Sequence, residues 1–151
     1  MYTTLHEIFI ARDIMREIMS QWSVYRVSLS NPSFDILLEA TRKVAERIGG
    51  EVAFNYEVRG FGGRREVCPI AIKLPGKYGN GVGIRVVDED SSSKIEVVGD
   101  TWGMPVTVEE VGAMIVEKYV SIVMIKSLEA MGFHILDVKE DPDGVEVEAA
   151  K

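Results

Sequence analysis

Six cations stand close together in a chain whose overall balance is acidic. Arg59, Arg64, Arg65, Lys73, Lys77 and Arg85 face only Glu57 and Glu66 between positions 57 and 85, whereas the 151 residues carry a formal net charge of −7. Arginine forks and lysine ammoniums contact phosphate groups, and an aromatic ring beside them stacks on a base. Tyr78 and Phe61 are the rings available here, so the band reads as a face for nucleic acid or a phospholigand. The competing reading is a solvated sheet face with ordinary charge pairs, each of which is worth little.

The stretch "VRGFGGRREV", Val58 to Val67, raises a second possibility, a glycine loop that cradles phosphate. Such loops end in lysine and serine or threonine and aim backbone amides from a helix N-terminus. Neither condition is met, because "REVCPIAIKL" continues as a strand. The glycines therefore supply the left-handed backbone of a hairpin turn. Whatever binding the stretch performs falls to the arginines.

Other constellations are weaker. "DEDSSS", Asp88 to Ser93, offers three carboxylates but lacks the glycine and distant glutamate of a calcium loop, so it reads as a hairpin turn. His6 and His134 have no adjacent nucleophile with an acid partner, and nothing in the spacing requires an enzyme. A single cysteine, Cys68, excludes an internal disulfide, and one cysteine with two isolated histidines does not make a closed zinc site. In "EVCPIAIKL" Cys68 reads as a small buried hydrophobe. No cofactor is implied. In "VVGDTWGMP", Asp100 is placed to bond turn amides and Trp102 to plug the core edge, with a cleft rimmed by Trp102 and Tyr78 as the alternative.

These residues need elements to hold them. Leu5, Ile8, Phe9, Met15, Ile18, Met19 and Trp22 recur at helical spacing and predict an amphipathic helix over 4–22, with a strand over "YTTLHEIFI" as the competing reading. A short strand follows over 24–30. "NPSFDILLEATRKVAERIGG" is a helix with Pro32 near its start, Asp35 in its first turn and Gly49-Gly50 after its last. "EVAFNYEVRG" alternates, setting Val52, Phe54, Tyr56 and Val58 on one face. "REVCPIAIKL", "GVGIRVVDED" and "SKIEVVGD" continue an antiparallel meander, with Pro69 marking an edge or a bulge. If these strands pair around the glycine turn, Arg59 and Lys73 share a face with Asn55 and Arg85.

A long helix over 107–131 opens at Thr107 and ends before Gly132, and a hairpin of "FHILDVKE" and "VEVEA" closes the chain. The order α-β-α-β-β-β-β-α-β-β over one domain, 1–151, predicts an α+β fold. It consists of an antiparallel meander sheet with helices mainly on one face, formed by a core over 24–148 and a helical extension over 1–23. A chain of this length buries roughly 68–70% of its unfolded surface without staples. The long helix is apolar over most of its circumference, from Met114 to Leu128, so it needs cover on more than one side. Either the N-terminal helix supplies that cover or a second copy of the chain does.

With these pieces in order, the chain resembles a family of uncharacterised proteins, a domain of unknown function of the conserved hypothetical chloroplast reading-frame type, with plastid, cyanobacterial and other prokaryotic members. The matching stretches are "YRVSLSNPSFDILLEATRKVAERIGGEV", "VRGFGG", "YGNGVGIRV", "VVGDTWG", "EKYVSIVMIKSLEAMGFHI" and "DGVEVEA", together about residues 24–148. The resemblance maps recurrent positions onto Tyr78, Gly83, Asp100, Trp102 and Tyr119. The helix over 4–22 and Asn80, where the family has aspartate, depart from it. It implies no established activity.

The N-terminus lacks the pattern of a signal peptide, and Glu117, Lys118 and Lys126 interrupt the longest apolar run. A cytoplasmic protein without a membrane span is the expectation. The acidic balance disfavours wholesale wrapping of nucleic acid. The first expectation for function is a non-enzymatic protein-interaction or regulatory module, acting as a homodimer or with a protein partner. The second is nucleic-acid or phospholigand binding through Arg59, Arg64, Arg65, Lys73 and Arg85, with Tyr78, Asp100 and Trp102 as the remaining candidates.

Overall fold

The computed structural model describes residues 22–89, 92–141 and 144–151. The expected helix over 4–22 lies outside the described residues apart from Trp22, which precedes the first strand. Seven strands and two α-helices follow: β1 (Ser23–Ser28), α1 (Phe34–Ile48), β2 (Glu51–Arg59), β3 (Arg65–Lys73), β4 (Gly81–Glu89), β5 (Ser92–Gly99), α2 (Val108–Ala130), β6 (His134–Asp141) and β7 (Gly144–Ala150). The five-stranded sheet runs β1-β5-β4-β3-β2, antiparallel throughout, and β6 pairs with β7 as a separate hairpin. This is the α+β architecture with an antiparallel sheet read from the sequence.

Local signals set the helix ends. Ser33 caps α1 by accepting from the Ile36 amide, and Gly49 closes it in the left-handed conformation that glycine adopts without strain. Thr107 and Glu110 form a reciprocal capping box at the start of α2. The Tyr119 hydroxyl of α2 accepts from the Ser33 amide at 2.8 Å, tying one helix to the cap of the other.

Both helices pack on one face of the sheet. Leu37, Ala40 and Val44 of α1 and Val111, Ile115 and Ile122 of α2 meet Ile70, Ile72, Val82, Ile84, Ile95 and Val97 in a single core. The opposite face holds a second buried cluster, Val58, Cys68, Ala71 and Val98, with Trp22 and Tyr56 packed against it.

That second cluster exposes an error in the simple alternation of β2. Val52 and Phe54 point towards the helices, with the Arg42 guanidinium of α1 lying over the Phe54 ring, but Tyr56 and Val58 point to the far face. The face switches at Asn55, whose φ of 47° is left-handed. Pro69 stands opposite on β3, where no amide is available for the ladder. Both strands slip in side-chain phase, not in register, at the same place, so Phe54 pairs with Ile70 and Tyr56 with Cys68. Beyond the slip β3 no longer pairs with β4.

The distal half of the β2–β3 hairpin then curls back over the far face. In a flat sheet β2 and β4 lie about 9–10 Å apart, two strand spacings. Here a β-carbon placed on Gly83 of β4 falls 3.0 Å from Val58 Cγ2 and 2.3 Å from Cys68 Sγ. Glycine at 83 is what admits the hairpin. Gly83→Ala is expected to cost about 1.5 kcal/mol through overpacking, read as a lower urea midpoint with an unchanged slope.

Candidate functional site

Three loops meet where the curled hairpin lands: the glycine turn after β2, the β3–β4 connection and the segment from β5 to α2. Asp100, fully buried, joins two of them. Its Oδ2 accepts from the Phe61 amide at 2.9 Å and its Oδ1 from the Trp102 amide at 3.2 Å. Asn80 ties in the third. It accepts from the Arg59 amide at 2.8 Å and donates to the Glu57 carbonyl at 3.0 Å, filling the place of a neighbouring strand along the free edge of β2. The Tyr56 hydroxyl donates to the Asn80 carbonyl, and the Tyr78 ring meets Phe61 edge-on at 4.8 Å. Gly62 and Gly63, at φ of 71° and 79°, form the turn itself.

Asp100 thus has the amide-bonding role expected of it, and Tyr78 supports the turn. Among the described residues Trp102 is not packed against either core cluster. Met104 and Val106 of the same loop pack on the main core, while half-buried Trp102 lines an open cleft of about 590 Å³ with Ser23, Thr107, Glu109 and Glu110. Among the described residues the wall of that cleft is this loop, the start of α2 and Ser23 of β1, and Tyr78 is not part of it.

The basic band is divided between two faces, because the slip at Asn55 and Pro69 reverses the direction of Arg59. Lys73 and Arg85 share the far face: the Lys73 ammonium lies over the Tyr56 ring and Arg85 stands opposite Glu96. Arg59 and Arg65 point the other way and flank Glu57, each at 3.5 Å. The expected grouping of Arg59 with Lys73 and Arg85 therefore does not form.

Each arginine of the band also meets a carboxylate. Glu66 holds Arg64 at 3.4 Å and Arg85 at 3.1 Å, and Glu96 binds Arg85 Nε at 2.9 Å and the Arg26 guanidinium from β1. Glu96 is 2% exposed. Burial alone would raise its pKa, but the hydrogen bonds from Arg85 and Arg26 outweigh it and hold the carboxyl below its ordinary value. Burial likewise favours the neutral form of Arg85, and the bond to Glu96 with the charges of Glu66 and Glu96 reverses this. The Arg26-Glu96-Arg85-Glu66-Arg64 chain is a charge ladder laid across the far face. Cys68 lies beneath it, its thiol pKa pushed up by burial, which keeps it protonated and unreactive.

Nothing in the sequence marks Glu96 or Arg26, and Glu66 enters there only as a counter-charge to the basic band. Glu96 sits at an ordinary polar strand position in "SKIEVV", yet it is buried on the far face between Arg26 and Arg85. For the curl of the hairpin, Pro69 in mid-strand was the available signal. Among the described residues no group of three or more histidine, cysteine, aspartate or glutamate side chains is placed to hold a metal ion. Nor is any described helix long and apolar enough to cross a membrane. No family model, curated protein or solved structure matches this chain.

A different surface lacks such internal pairing. α2 buries Val108, Val111, Ile115, Tyr119 and Ile122 along its first two thirds, and no residue beyond Ile122 is buried. Val120 and Val123 are 37% and 36% exposed, Met131 56% and Leu136 of β6 60%. The β6–β7 hairpin lies along this helix, joined to it by Lys118 and Glu140 at 2.6 Å. A two-stranded hairpin has little stability of its own.

Proposed function

We propose that this chain is a non-enzymatic protein-interaction module of the cytoplasm that works as a homo-oligomer, through the surface formed by the second half of α2 and the β6–β7 hairpin. The observation that carries the reading is the apolar length of α2 beyond Ile122, which the sheet does not cover. A helix apolar on several sides seeks cover on each of them. A second copy offers the same surface in return, as a two-fold interface requires.

The phospholigand reading has less support. Arg59, Arg64, Arg65 and Arg85 already engage glutamates, so a phosphate would have to displace carboxylates held on two different faces.

Light scattering of the purified chain across the micromolar range tests the proposal. A mass above that of one chain is expected. Val123→Glu with Leu136→Glu is expected to weaken association at least tenfold, since each buries a charge at an apolar contact, while the circular dichroism of the fold is retained. A monomer at high micromolar concentration overturns the reading.

A further inference from the structure

Among the described residues β6 and β7 pair only with each other, so each presents an edge with no neighbouring strand. Such edges recruit other strands unless their side chains forbid it. The two edges differ in this respect. An antiparallel copy of β7 centred on Glu146, Val147 or Glu148 sets glutamate against glutamate at or beside the centre. Like charges directly opposite are destabilising.

β6 behaves in the reverse way. Its irregularity lies between Ile135 and Asp137, which leaves 137–141 as a regular edge. Val138 and Glu140 are half-buried, whereas Asp137, Lys139 and Asp141 are exposed. An antiparallel copy centred on Val138 brings Asp137 opposite Lys139 of the second chain, and Lys139 opposite its Asp137. Both cross-strand charge pairs are attractive, and a two-fold axis generates the second from the first. The same register sets Leu136, the most exposed large apolar residue of β6, opposite Glu140 of the second chain, a residue whose carboxylate is already held by Lys118.

Resting on the homo-oligomer reading above, we infer that the occupant of this edge is a second copy of the chain. Two β6 strands pair antiparallel about Val138, joining the two hairpins into one four-stranded sheet. The Asp137–Lys139 pairs fix the register. The partly covered end of α2 in each chain flanks the joint.

Charge exchange tests it in the full chain by sedimentation velocity. Lys139→Glu makes positions 137 and 139 both acidic and Asp137→Lys makes both basic, so each variant alone is expected to associate about tenfold or more weakly than the parent. Mixing the two restores attraction at both positions, and a heterodimer of parental strength is expected. The double variant Asp137→Lys/Lys139→Asp is expected to self-associate like the parent. A misfolded variant would not recover on mixing, so recovery separates interface from stability. If the parent oligomerises and neither single variant weakens it, the β6 edge is overturned while the oligomer stands. If the parent is monomeric, the reading beneath the inference fails with it.

Discussion

Asp100→Ala is expected to lower folding stability by about 3 kcal/mol, because it removes the acceptor of two amide hydrogen bonds at a fully buried position. The Phe61 and Trp102 N–H groups would be left without a partner where water does not readily replace the carboxylate. Asp100→Asn retains one acceptor oxygen and sets an NH₂ against the other amide, so an intermediate loss is expected. Urea unfolding gives the size. Hydrogen exchange gives the mechanism: the Phe61 and Trp102 amides should lose protection before those of β3 to β5. If both remain protected in Asp100→Ala, the turn is held by other contacts and the assignment fails.

Glu96→Ala is expected to cost about 2 kcal/mol, less than the 3–5 kcal/mol for breaking a fully buried ion pair, because Arg85 keeps Glu66 and Arg26 is half exposed. The parent protein should show the linked pH dependence. The Glu96 carboxyl titrates below its ordinary value in the folded state, so the unfolded chain binds the proton more readily. Its contribution is fully present above the ordinary carboxylate range and is lost as pH falls through the folded value. Glu140 has the same sign, since the bonds from Lys118 and Ser121 outweigh its burial. Urea unfolding between neutral and acid pH should therefore give a shallower acid slope for Glu96→Gln than for the parent. Equal slopes would show that the ladder contributes nothing that titrates.

Both predictions concern residues of different legibility. Asp100 follows a strand and precedes a turn, a position where a short carboxylate bonds amides, so its role could be read directly. The seven strands after Trp22 and both described helices were equally visible, because alternation and capping residues are local properties. The curl was not. Alternation over "EVAFNYEVR" is unbroken in sequence, yet the left-handed Asn55 turns half of it over. The slip on β3 compensates, so no pairing is lost to reveal it. The expected grouping of Arg59 with Lys73 and Arg85 fails at this point. Trp102 was misplaced for a different reason. A large aromatic after a strand suggests the core, but two smaller apolar residues further along the loop had already filled it.

The Asp100 tie also bears on when the molecule completes itself. β2 and β3 are joined by a five-residue turn and are expected to pair early, whereas the bond from Phe61 to Asp100 closes 39 positions of chain and is expected to form once β4 and β5 are in place. Contacts made after the folding barrier act on escape from the native state rather than on arrival. Loss of the Asp100 carboxylate should therefore leave the refolding rate nearly unchanged and shorten the lifetime of the folded chain. The curled hairpin acts in this sense as a latch, and its strength is measured in time.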